Sequence, residues 1–162
     1  MSESVKVRPA RAEDVPEMAA ILNEIIAIGG TTAFEDERSE AEVADIVMER
    51  PESLFAHVAL DGEGAVAGFQ YVIATDEAGV GSVATFARQA PVIRAVGTAL
   101  LRATVLSSQA AGLTAIDAHI RGDNVPGLAY YSKMGFKDHA VVPSVPLKNG
   151  TPIDRIVKRL QL

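Results

Sequence analysis

The chain has 162 residues, a formal net charge of −6, 48% hydrophobic and 22% charged residues, three well-separated histidines and no cysteine. That is enough chain for one domain with a real core, too apolar for a disordered chain, and too acidic for general nucleic-acid binding. Disulfides, thiolate metal sites and cysteine nucleophiles are excluded, a zinc cluster is not expected, and neither a membrane span of about 18 apolar residues nor a secretory leader is visible, so a cytoplasmic protein without metal is expected.

In chain order, Val5 to Pro9 alternates weakly and predicts a short first strand. Arg11-Ala12-Glu13-Asp14 with Pro16 predicts a helix start. Met18, Ile21, Leu22, Ile25 and Ile26 then recur at helical spacing until Gly29-Gly30 ends the helix. Thr31 to Arg38 has no clear period, and Phe34 within it either lines a pocket or plugs the core. Ser39 with Glu42 is a capping-box signature for a second helix reaching about Arg50, with Pro51 just beyond. Phe55–Leu60, Ala65–Ala74 and Val80–Ala87 read as three strands of an antiparallel meander.

The organising stretch runs from Arg94 to Gln109. It opens on Arg94-Ala95-Val96-Gly97-Thr98-Ala99 and continues as a strong helical pattern ending near Gly112. Unpaired N–H groups at such a helix start suit an anion, and Gly97 would let one approach the backbone. Tight packing of Gly97 and Ala99 against a sheet is the equally good alternative. Leu113–Ile120 is a further strand, so strand, helix and strand form a right-handed, parallel unit. Asp123 or Asn124 caps a last helix carrying Leu128, Tyr131 and Met134, which Gly135 ends. Phe136 begins a strand, and Ile153–Val157 is the last. This order predicts one α/β or α+β domain over residues 1–162 with a mixed sheet.

Two blocks carry a resemblance. Arg94, Gly97 and Ala99 match the pyrophosphate signature of the GNAT superfamily of acyl-CoA-dependent N-acetyltransferases. NVPGLAYYSKMGF matches a second block of that family through Asn124, Tyr131, Gly135 and Phe136. The first half, including TTAFE, is similar to the phosphinothricin-type acetyltransferases, which act on small amino compounds. The chain departs from the family at Ala95 and Val96, where glycine and a basic residue are usual. The resemblance implies a mixed, mostly antiparallel sheet of six to seven strands flanked by about four helices. It also implies acetyl-CoA as cosubstrate and a small-molecule primary amine, an amino acid or analogue, as acceptor. A protein N-terminus or a non-catalytic CoA-binding module are the alternatives. A homodimer is expected, with the apolar stretch Ala140–Leu147 as a further motive.

The resemblance also assigns roles. The N–H groups of Val96, Gly97, Thr98 and Ala99 would hold the diphosphate, with Arg94 as flanking charge. A backbone N–H on Val80–Ala87 would polarise the thioester, the strand bulging near Phe86 and splaying from Leu113–Ile120 to admit the pantetheine arm. Tyr131 would protonate the departing thiolate, while Tyr130, about 100° round the helix, would face elsewhere. Asn124 would contact the cofactor or tie down a loop, beside its role as helix cap. For the general base the candidates are Glu35, His57 and His119, or water alone; a buried core role is the stronger reading of His119.

Overall fold

A computed structural model of the chain describes residues 5–90, 93 and 95–162. Arg94, Pro91 and Val92 lie outside the described residues, so the flanking-charge assignment of Arg94 is not addressed by it.

Seven strands form one sheet: β1 (Lys6–Pro9), β2 (Ser53–Leu60), β3 (Val66–Ala74), β4 (Val80–Ala87), β5 (Ala115–Arg121), β6 (Lys137–Pro146) and β7 (Pro152–Gln161). Their spatial order is β1-β2-β3-β4-β5-β7-β6. Every neighbouring pair is antiparallel except β4 and β5. The parallel pair needs a crossover, and α3 (Val96–Ala110) supplies it. α1 (Val15–Ile28), α2 (Glu40–Ala44) and α4 (Val125–Lys133) complete the main helices. None of the helices in the described residues is long and apolar enough to cross a membrane.

The mixed sheet and its helices agree with the sequence reading, with local differences. The second helix keeps its Ser39–Glu42 capping box but changes after Ala44 to a π-helical turn over Asp45–Glu49. The fifth strand starts and ends later than Leu113–Ile120. The last strand is much longer than Ile153–Val157 because β6 and β7 pair along nearly their whole length.

Period-two alternation gives the sheet two apolar faces. On the front, Phe69, Tyr71 and Phe86 pack against Met18, Ile21, Leu22 and Ile25 of α1 and Val43 of α2. On the back, Val72, Val83, Ile116 and Ile120 meet Leu101 of α3 and Tyr131 of α4. α1 and α2 cover the β1–β4 side of the front. The front of β5, β7 and β6 carries polar side chains instead, including Asp117 and Arg159, joined by two hydrogen bonds of 2.7 and 2.9 Å. β6 is exposed along its length and forms one edge of the sheet.

Candidate active site

β4 and β5 are in register only from Val80↔Ala115 to Val83↔Ala118. Beyond that the two strands part, and a cavity of about 490 Å3 opens between them. Its walls include Ala84 to Ala87 of β4, His119 to Arg121 of β5, Thr31 to Phe34, and Asn124, Tyr130 and Tyr131. The expected splay is therefore present. The expected bulge near Phe86 is not: β3 and β4 pair without a shift from Gly68↔Ala87 to Ala74↔Gly81. Phe86 lines the slot, but with a ring largely packed in the core and a backbone committed to β3. Its ring is buried on Phe69, with centroids 5.2 Å apart, and its backbone pairs with Phe69 on β3. Arg88 N–H likewise donates to Ala67 of β3. Strand alternation then sends the N–H groups of Thr85 and Ala87 toward β5, into the parting. These are the backbone donors that face the slot.

α3 begins beside this slot. Its N-cap, Ala95, has φ 66° and ψ 8°, the left-handed region that a Cβ disfavours. The left-handed penalty of roughly 1–2 kcal/mol exceeds the entropic cost of glycine, so Ala95→Gly is expected to stabilise the fold by about 1 kcal/mol. Urea denaturation of both proteins checks this, and an unchanged midpoint would remove the strain.

The Ala99 N–H donates to Ala95 O at 2.9 Å, the first bond of the helix. Ala99 therefore drops out as an anion donor. Val96, Gly97 and Thr98, the first three helical residues, have no acceptor for their N–H groups within the helix. The Thr98 hydroxyl contacts Met134 Sδ at 3.9 Å. Val96, where the family has a basic residue, is buried with Leu100, Ala59 and Ala67. A Cβ on Gly68 would lie 2.7 Å from Val96 Cγ1. The valine is thus a packing residue facing the sheet, and its backbone N–H is unaffected by the substitution.

Gly97 carries a second surprise. A Cβ there would meet Tyr130 Cε1 at 2.6 Å, and the Tyr130 hydroxyl donates to Gly97 O at 2.8 Å. Gly97 makes room for a tyrosine as well as leaving its backbone open. Tyr130 does not face elsewhere, as the helical angle had implied. Tyr130 and Tyr131 stand edge to face with centroids 4.8 Å apart, and their hydroxyls reach the same polar row on the back of the sheet. The Tyr131 and Thr85 hydroxyls share a hydrogen bond, their oxygens 2.9 Å apart. Gln70 Nε2 lies 2.7 Å from Thr85 Oγ1 and 3.4 Å from the Tyr130 hydroxyl. Burial pushes the Tyr131 phenol well above its ordinary value, and the Thr85 bond opposes this only partly. Gln70 and Thr85 went unrecognised in the sequence, where a cross-strand pair leaves no local signal.

Asn124 is both cap and tie. Its Oδ1 accepts from Gly127 N–H at 3.0 Å, and its Nδ2 donates to Thr31 O at 3.2 Å. Arg121 adds a bond to Thr32 O at 3.3 Å while pairing with Asp123. Together they lash the Thr31–Phe34 segment over the slot. Phe34 accordingly does both things expected of it: it lines the slot and approaches Phe86 at 6.3 Å.

The three base candidates separate clearly. Glu35 is not among the slot-lining residues; its carboxylate accepts from the Lys148 N–H at 2.9 Å, fastening the segment to the β6–β7 turn. His57 is buried on β2, with Nε2 3.2 Å from Ser107 Oγ, and does not line the slot. His119 does line it, and is exposed rather than a core residue. Desolvation in the slot pulls its imidazole below the ordinary value, Asp117 opposes this, and Arg155 adds to it. Asp117 is held by Arg159, so the two do not form a relay.

No protein-family model and no curated sequence matches this chain. Solved structures are similar over nearly its whole length. A GNAT superfamily phosphinothricin acetyltransferase from Sinorhizobium meliloti, in complex with acetyl-CoA, is 25% identical with a TM-score of 0.83, covering 100% of this chain and 89% of its own. A GCN5-related N-acetyltransferase from Kribbella flavida is 24% identical with a TM-score of 0.82, covering 98% of each chain. A ribosomal-protein-alanine N-acetyltransferase from Brucella melitensis is 17% identical with a TM-score of 0.84, covering 97% and 99%. The chain has the fold of the GNAT N-acetyltransferases.

Proposed function

We infer that this protein moves an acetyl group from acetyl-CoA to the primary amine of a small metabolite that also carries a carboxylate. One observation carries the reading: the slot between β4 and β5 brings together the start of α3, two outward strand N–H groups and the Tyr131 phenol. The N–H groups of Val96, Gly97 and Thr98 suit the diphosphate. Thr85 and Ala87 offer N–H groups to the pantetheine arm and the thioester oxygen. The amine attacks the carbonyl carbon, a C–N bond forms and the C–S bond breaks. The thiolate takes the Tyr131 proton, and the nitrogen loses its own to His119 or water.

The choice of acceptor rests on local charge. The chain is acidic overall, yet among the described residues its slot is lined by His119, Arg121 and Arg155 and by no carboxylate. Arg121 is engaged by Asp123, whereas Arg155 forms no ion pair among the described residues. An acceptor carboxylate would complete Arg155.

Calorimetric titration with acetyl-CoA, with thiol release over a panel of amino acids, polyamines and a peptide amine, tests this. Binding with turnover of a carboxylated amine is expected. Binding without turnover would leave a CoA-binding module, and turnover of the peptide alone would make the acceptor a polypeptide.

If His119 is the base, it must be neutral to act. Its depressed pKa keeps it neutral at pH 7, and kcat falls only as pH drops through that value, below the ordinary ~6.5. The acid limb of kcat at saturating amine should lie there and vanish in His119→Gln. An unchanged limb would leave the proton to water.

A homodimer is also proposed, through β6, where Val141 and Val142 are 56% and 47% exposed. Sedimentation velocity at micromolar concentration should give twice the 17.1 kDa chain mass; a single-chain species alone would overturn it.

A further inference from the structure

We propose that Gln70 and Thr85 are positioning residues that fix the direction of the Tyr131 proton, aiming it into the slot. The proposal rests on Tyr131 acting as the acid in acetyl transfer, and it follows from counting protons along one part-buried row.

The count starts at Tyr130. Its single hydroxyl proton goes to the Gly97 carbonyl at 2.8 Å, a group that can only accept. Toward Gln70 the Tyr130 oxygen can therefore only accept. The Gln70 atom 3.4 Å away must be a donor, which makes it the amide nitrogen and not the amide oxygen. The same nitrogen lies 2.7 Å from Thr85 Oγ1, so Thr85 accepts from it. Thr85 then has its own proton to place. Among the described residues its close partner besides Gln70 is the Tyr131 phenol, at 2.9 Å, although the Tyr130 hydroxyl also faces it. Were Tyr131 the donor in that pair, the proton of the half-buried Thr85 hydroxyl would be left without a hydrogen-bonded acceptor among the described residues. The favoured order is Gln70 N–H to Thr85, Thr85 O–H to Tyr131, and Tyr131 O–H outward to the slot that it lines.

This order serves the chemistry twice. Before transfer, the Tyr131 proton is not spent on an internal bond. On transfer, the Tyr131 O–H bond breaks and an S–H bond forms on the departing thiolate. The phenolate left behind already holds a hydrogen bond from Thr85, backed by Gln70. Gln70 Oε1 takes no bond among the described residues, so the side chain acts as a pure donor.

The tyrosine Fermi doublet in the Raman spectrum tests this without any acetyl transfer. Its intensity ratio separates a phenol that accepts, whether or not it also donates to slot water, from one that only donates. The wild-type minus Tyr131→Phe difference should show an accepting phenol. A donor-only ratio would overturn the proposal, even if the protein is an acetyltransferase. Kinetics with acetyl-CoA and the fastest amine of the panel supplies the second arm. Gln70→Met and Thr85→Val should each lower kcat about tenfold or more with little change in the acetyl-CoA KM, and Thr85→Ser should restore it. In a Tyr131→Phe background neither should cost anything further. Equal losses in both backgrounds would make Gln70 and Thr85 structural residues. Should Gln70→Met fail to fold, Thr85→Val and its serine rescue decide alone. If no amine is turned over by the wild type, the functional reading fails and the Raman ratio still decides the proton direction.

Discussion

Tyr131→Phe is expected to lower kcat by about 10²–10⁴-fold, the range for loss of a general acid. Shape should survive, because the ring packs edge to face on Phe136 at 5.0 Å and on Tyr130, and phenylalanine keeps both contacts. Affinity for acetyl-CoA should survive too, since the diphosphate site is at the start of α3. A loss confined to kcat marks a contact made in the transition state. Burial raises the Tyr131 pKa, so the proton stays in place across the working pH range. The defect should therefore be nearly constant from about pH 6 to pH 9. Tyr130→Phe is no neutral control, because its hydroxyl holds Gly97 O and faces Gln70. It should act mainly on the acetyl-CoA KM. Single-turnover rates at matched saturation decide; equal rates for Tyr131→Phe and wild type would leave Tyr131 a packing residue.

Gly97→Ala is expected to have the largest effect on the fold and the cosubstrate site together. The new methyl would sit 2.6 Å from Tyr130 Cε1, a distance real carbons do not adopt. Either the ring or the first turn of α3 must move, and overpacking of this kind costs about 1–3 kcal/mol. Movement of Tyr130 also breaks its bond to Gly97 O, so acetyl-CoA binding should weaken in step. In a Tyr130→Ala background the same substitution should cost far less stability. Denaturation and calorimetry on the four proteins separate the two uses of Gly97. If acetyl-CoA affinity still collapses in that background, the missing Cβ serves the anion. If stability falls equally in both backgrounds, Tyr130 is not the reason for the glycine.

The strands, helices and caps were largely legible because each leaves a short-range pattern. Ser39 and Glu42 cap as their spacing predicts, and the Val80–Ala87 strand, crossover helix and next strand pair in parallel as expected. The location of the slot was legible for the same reason, through Gly97 and the Asn124–Tyr131 block. What was not legible is long-range. The 100° step between Tyr130 and Tyr131 sets where the Cβ atoms point, yet long phenols leaning together bring both hydroxyls to one row. Gln70 and Thr85 meet because β3 and β4 pair in one register and no other. His119 looked like a core residue because its strand is apolar; it is exposed because, among the described residues, the helices of the front pack on β1–β4 and leave its side of β5 open. Glu35 looked like a slot acid, but the β6–β7 turn claims it from more than a hundred residues away.

The early end of the β4–β5 ladder has a consequence for the amide protons of β4. Ala84 and Phe86 send their N–H groups into the β3 ladder, whereas Thr85 and Ala87 send theirs into the parting. Adjacent residues of one strand thus differ sharply in how easily solvent deuterium replaces their protons. The free protein should exchange along β4 in a two-residue rhythm, slow at 84 and 86, fast at 85 and 87. A pantetheine arm lying in the slot would fill the missing side of the ladder and erase that rhythm, so the strand reports its own occupancy through protons that no side-chain substitution removes.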